Sequence, residues 1–105
     1  MTTFDKREEG FEKKFAHDEE LRFKANARRN KLLGLWAAEQ LGLAGADAET
    51  YAKEVVIADL DEAGDVFRKV RKDLDAKNVA QSGQQLRRVM DDLMERAIAQ
   101  IKAGT

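Results

Sequence analysis

Three phenylalanines, Phe4, Phe11 and Phe15, stand at i, i+7 and i+11 in the highly charged opening stretch FDKREEGFEKKFAHDEELRF. Residues of this type at this spacing make an aromatic stripe along one side of a helix, the pattern of anchors that dock in a groove on another protein. At about 100° per residue the three fall within about 40° of each other. Around them Glu8, Glu9 and Glu12, with Lys6, Lys13 and Lys14, supply charge that tunes solubility and choice of partner. As a core element the stretch is weak. Its stripe is narrow, charge interrupts it, and Gly10 costs roughly 1 kcal/mol of helix propensity against alanine. Docking on the rest of the chain and binding a partner are both compatible with these residues.

Other side chains with chemical potential are few. His17, beside Asp18, has the ordinary pKa for a switch near neutral pH, although a surface histidine without that role is the plainer reading. The acid pairs Asp59 with Asp61 and Asp91 with Asp92 are of the type used for metal binding or proton transfer, but on helix surfaces such pairs are ordinarily solvated. No glycine-rich phosphate loop, HExxH or GxSxG motif occurs. Cysteine is absent, which excludes disulfides and thiolate chemistry, and a single histidine excludes the common multi-histidine metal sites. No catalytic residue, metal or cofactor is expected. Charge is blocked along the chain despite a net charge of −1: five bases and no acid lie between Arg22 and Lys31, then eight acids and one base between Glu39 and Asp65. The expectation is that these blocks pair across packed helices, and nucleic acid is not the expected partner.

The elements that must position these residues are helical. Proline is absent, Ala, Leu, Glu, Lys, Arg and Gln dominate, and no run alternates over a strand's length. Asp18 can cap a helix running to about Leu41, with Glu19 and Glu20 favourable in its first turn and Gly42 at its end. In it Leu21, Ala25, Leu32 and Leu35 form a stripe about 90 to 100° from that of the phenylalanines, so one straight helix cannot send both to the same core. Leu33, Trp36 and Leu41 widen its apolar surface, which predicts a central helix touching two neighbours, with Trp36 in the core. A second helix is expected from about Asp47 to Leu60, with Ala48, Tyr51, Ala52, Val55 and Ala58 inside. A third follows from about Asp65 to Ala76, carrying Val66, Phe67, Val70 and Leu74. The last runs from about Gly83 to Lys102, with Leu86, Val89, Met90, Leu93, Ala97 and Ile101 inside and Ser82 with Gln85 spaced as a capping box. Short connections favour antiparallel neighbours. The fold class is therefore all-α: a compact four-helix bundle over residues 18–105, preceded by a flexible or conditionally helical arm over residues 1–17. No apolar run approaches the roughly 18 residues of a membrane span, and MTTFDKREEG lacks the apolar region of a secretory signal, so a soluble, cytoplasmic protein is expected.

The stretch FDKREEGFEKKFAHDEELRFKANARRNKLLGLWAAEQLGL, from Phe4 to Leu43, resembles the N-terminal half of the ζ subunit of the alphaproteobacterial F-type ATP synthase, and FAHDEELRFKANARRNKLLGLWAAEQLG is its most specific part. YAKEVVIADLDEAG and LRRVMDDLMERAIAQI are also similar to that family, with Val66 to Gln85 matching less clearly. The resemblance implies an inhibitor of ATP hydrolysis by the F1 sector, monomeric, not an enzyme, and held at the inner membrane only through the synthase. It implies that the N-terminal segment enters an α/β catalytic interface, reaches toward the γ subunit and blocks rotation in the hydrolytic direction, while the bundle docks outside. Carried over by position, Phe4, Asp5, Arg7, Glu8, Phe11, Glu12 and Phe15 face the enzyme. The competing readings are a non-inhibitory scaffold or assembly subunit and a small nucleotide-binding helical bundle. The second would use the basic block from Arg22 to Lys31, which has no glycine-rich loop to accompany it.

Overall fold

The first helix begins because the Asp18 side chain accepts a hydrogen bond from the Leu21 amide at 3.2 Å, satisfying one of the orphan donors of the opening turn. In a computed structural model, which describes residues 18–61 and 65–104, helix α1 runs Glu19–Gln40, α2 Gly45–Asp61, α3 Asp65–Ala76 and α4 Gly83–Lys102. The fold is an all-α four-helix bundle, as the composition predicts. Residues 1–17, which carry the predicted arm, lie outside the described residues.

Two turns end in the same way on different residues. After α1 the Gly42 amide donates to Glu39 O at 3.1 Å and the Leu43 amide to Ala38 O at 2.8 Å. After α3 the Asn78 amide donates to Asp75 O at 3.0 Å and the Val79 amide to Leu74 O at 3.0 Å. Both are the paired closure that needs a left-handed residue just past the helix, and Gly42 (φ 79°) and Asn78 (φ 57°) supply it. Asn is the side chain that tolerates this region best after glycine. Helix α4 starts with the expected reciprocal cap: Gln85 N donates to Ser82 Oγ at 3.0 Å and Ser82 N to Gln85 Oε1 at 2.8 Å.

Helix α1 is central. It packs most extensively on α2 and α4 and also touches α3. The core draws on all four helices: Leu33, Ala37 and Ala38 from α1, Tyr51 and Val55 from α2, Val66, Val70 and Leu74 from α3, Leu86 and Leu93 from α4. Each large apolar side chain buried in this way contributes about 1.5–3 kcal/mol.

The packing corrects part of the expected inward face of α1. Ala25 is buried, but Leu21, Leu32 and Leu35 are only half-buried, and Leu33 is the fully enclosed leucine. Because α1 meets three neighbours, the line that goes inward is Asn30, Leu33, Gly34, Ala37 and Ala38. Its small residues let α2 come close. A Cβ on Gly34 would stand 2.5 Å from Ala52 Cα, so only glycine fits where the two helices cross. Trp36 packs against the core from a half-buried position and is not enclosed by it.

Candidate partner-binding site

Every residue proposed to face a partner, Phe4, Asp5, Arg7, Glu8, Phe11, Glu12 and Phe15, lies outside the described residues, as does His17. What the structure describes is the ground on which that segment is rooted. Asp18 ends it and opens α1, followed by Glu19 and Glu20 in the first turn, where acidic groups suit the positive end of the helix. Glu20 also meets Lys24 at 3.4 Å, an exposed pair worth little by itself.

One turn further, the surface changes character. Phe23 is 61% exposed, and with Ile57 at 56% and Leu60 at 64% it makes a trio of large apolar side chains left in solvent. These residues lie off the stripes that the sequence predicts to be buried, which is the signal by which they could have been found. Phe23 and Leu60 line a cavity of about 220 Å³ between α1 and α2, with Asn26, Ala27, Asn30, Val56 and Asp59. Phe23, Ala27 and Val56 also line a wider cleft of about 700 Å³ with Lys24, Arg28, Lys31 and Ile101.

The floor holds an unusual polar group. Asn30 is fully buried; its Oδ1 accepts from Arg29 Nε at 2.9 Å, while its Nδ2 has no hydrogen-bond partner. Burial lowers the pKa of Arg29, and the carboxylates of Asp59 on α2 and Asp91 on α4 act the opposite way. Arg29 is thus the member of the basic block that feels the acids of neighbouring helices. The wider expectation of pairing between the blocks is not met. Among the described residues, Arg28, Lys31 and Lys53 make no ion pair, and most of the ion pairs lie within helices: Lys24 with Glu20, Arg68 with Asp65, Lys69 with Asp73 and Arg71 with Asp75.

Between α2 and α3 a second polar cluster is self-contained. Tyr51 Oη donates to Asp73 Oδ2 at 2.8 Å, and Lys69 Nζ reaches the same oxygen at 3.1 Å and Glu54 at 3.6 Å. Burial and the Asp73 bond push the Tyr51 hydroxyl well above its ordinary pKa of 10. Its partners are all satisfied, so it reads as a strut.

A family model described as ATPase inhibitor subunit zeta matches residues 1–100. The chain belongs to the ATPase inhibitor subunit zeta family. The match spans both the undescribed aromatic segment and the bundle. A solved structure, a solution NMR structure, is 49% identical and superposes with a TM-score of 0.70, covering 81% of this chain and 99% of that one. No curated protein matches. Among the described residues of this zeta-family chain, no helix is long and apolar enough to cross a membrane, and no group of three or more His, Cys, Asp or Glu could hold a metal ion.

Proposed function

We propose that the chain inhibits ATP hydrolysis by the F1 sector of ATP synthase, with residues 1–17 as the inhibitory segment and residues 18–105 as the domain that presents it. The observation that carries this reading is the family match across residues 1–100, which takes in the aromatic stripe and the bundle together. In this mechanism Phe4, Phe11 and Phe15 are the anchors, and Asp5, Arg7, Glu8 and Glu12 fix the register against an α/β interface close to the γ subunit. A single short helix of this length is marginal alone in water, so contact with the enzyme supplies what ordering costs. A segment held between α and β subunits resists the rotation that opens that interface during hydrolysis and yields to the opposite rotation. The chain acts as a monomer, and reaches the membrane only through the synthase.

The test is the rate of ATP hydrolysis by F1 purified from the same source. The intact chain slows it, and removal of residues 1–17 abolishes the effect. Phe11→Ala weakens inhibition about thirtyfold, since a buried aromatic anchor commonly carries 2 kcal/mol or more. Equal inhibition by Phe11→Ala and the unmodified chain, below saturation, removes the segment from the mechanism and leaves the chain as a scaffold or assembly subunit.

A further inference from the structure

Along α1, Phe23, Ala27, Asn30, Gly34 and Ala37 recur at spacings of four and three, so they share one side of the helix. In the C-terminal half of α1 that side is closed, with Gly34 against Ala52. In the N-terminal half it is open. The cavity at Phe23, Asn30 and Leu60 shares Phe23, Ala27 and Val56 with the cleft at Lys24, Arg28 and Lys31. That cleft in turn shares Lys31 and Val56 with a cavity of about 300 Å³ reaching Ile57 and Lys53. The three make one continuous groove. It has an apolar floor, and Lys24, Arg28, Lys31 and Lys53 on its borders outnumber the acids there, Glu49 and Asp59.

We infer that this groove is the docking surface by which the bundle holds F1, and that its occupant is an acidic amphipathic helix of the F1 assembly. The inference rests on the inhibitor reading, in which the bundle docks outside, and assigns that contact its residues and the chemistry of its partner. Two observations define the occupant. The exposed Phe23, Ile57 and Leu60 call for apolar side chains on its inner face. The borders call for carboxylates on its flanks, since Arg28, Lys31 and Lys53 make no ion pair among the described residues. From Glu49 to Leu60 the groove follows α2 for about 16 Å, three turns of a docked helix.

Two other occupants fit worse. Residues 1–17 carry four acids (Asp5, Glu8, Glu9, Glu12) and four bases (Lys6, Arg7, Lys13, Lys14), so they offer the groove no net complementarity. A second copy related by a twofold axis would set the same cations against each other. The groove also starts one turn after Asp18, the root of the inhibitory segment. A bundle anchored there raises the local concentration of that segment at its target.

The experiment separates binding from inhibition. F1 from the same source is titrated with the fluorescently labelled intact chain, and with its Phe23→Ser, Arg28→Glu/Lys31→Glu and control Lys77→Glu variants, while hydrolysis is followed in parallel. Circular dichroism checks that each variant is folded. Phe23→Ser is expected to weaken binding about thirtyfold. The double charge reversal is expected to weaken it tenfold or more and to flatten its dependence on salt. Inhibition is still expected from both at saturating concentration, whereas the chain lacking residues 1–17 gives none there. A photo-crosslinking phenylalanine analogue at position 23 is expected to label an F1 segment with acids flanking an apolar helical stripe. Wild-type affinity in both groove variants overturns the inference while leaving the inhibitor reading intact. A crosslink only to residues 1–17 or to a second copy overturns it too. Failure of the intact chain to bind or slow F1 overturns both.

Discussion

Helix α3 and the first half of α1 are both highly charged, yet they treat their side chains in opposite ways. Helix α3 sends Val66, Val70 and Leu74 inward and leaves none of its large apolar residues in solvent. Three of its four bases are matched locally, Arg68 by Asp65, Lys69 by Asp73 and Arg71 by Asp75, while Phe67 lies under the Arg87 guanidinium at 4.1 Å. The first half of α1 leaves Phe23 in solvent, buries Asn30 with one donor unmatched, and carries Arg28 and Lys31 without ion pairs among the described residues. A helix whose demands are met within its own bundle is structural. One whose demands are left open is shaped for something outside it.

The comparison breaks most easily at its apolar residues. Leu74→Ala on α3 is expected to cost about 3 kcal/mol or more, because it opens a cavity in a fully enclosed site. Phe23→Ala removes a larger side chain from α1, yet the expected loss is under about 0.5 kcal/mol, as for exposed positions generally. Urea denaturation of the two variants measures the difference. Comparable losses would show that Phe23 is a core residue, and the open groove would vanish with it.

The next effect concerns the point where the open half of α1 becomes the closed half. Gly34→Ala places a methyl 2.5 Å from the Ala52 backbone, and backbone cannot swing aside as a flexible side chain can. Helices α1 and α2 must then separate, at an expected cost of about 2–3 kcal/mol. A denaturation midpoint equal to wild type would mean that the crossing has slack.

How much of this was legible beforehand follows from which forces act locally. Both ends of α1 and the start of α4 are readable because caps act over three or four residues: Asp18 with Leu21, Ser82 with Gln85, Gly42 after Leu41. Asn78 escapes the same reasoning because asparagine marks a left-handed stop less uniquely than glycine does. Helix α2 begins at Gly45, two residues before the acidic Asp47 that suggests its start. The inward side of α3 follows from its period alone, since it needs only one face covered. That of α1 does not, since three neighbours share it and small residues, invisible to a search for large apolar ones, do the close packing. The missing match between basic and acidic blocks is a matter of three-dimensional placement, which spacing along the chain does not contain. Of the candidate site, the anchors at Phe4, Phe11 and Phe15 stand out by type and spacing, whereas the groove at Phe23, Asn30 and Leu60 emerges only when two antiparallel helices are laid together.

The smallest expected effect tests the settled side of the comparison through pH. Tyr51 joins α2 to α3 by its bond to Asp73, with Lys69 and Glu54 the other charges facing it. Its folded pKa is raised above the ordinary 10 by burial first and by Asp73 second. The sign follows: the neutral hydroxyl is favoured in the folded state, so this contribution is complete below pH 10. It is lost as pH rises from there toward the folded value, at no more than about 1.4 kcal/mol per pH unit. Tyr51→Phe keeps the ring and deletes the donor, and is expected to cost about 1 kcal/mol at neutral pH. It should also remove part of the fall in stability between pH 10 and 12, a fall to which lysines contribute in both proteins. Denaturation midpoints for the pair at pH 7, 9, 10.5 and 11.5 should therefore converge as pH rises. Parallel curves would mean that Tyr51 titrates alike in both states, that the Asp73 bond is too weak to hold the proton, and that α3 depends on its apolar face alone.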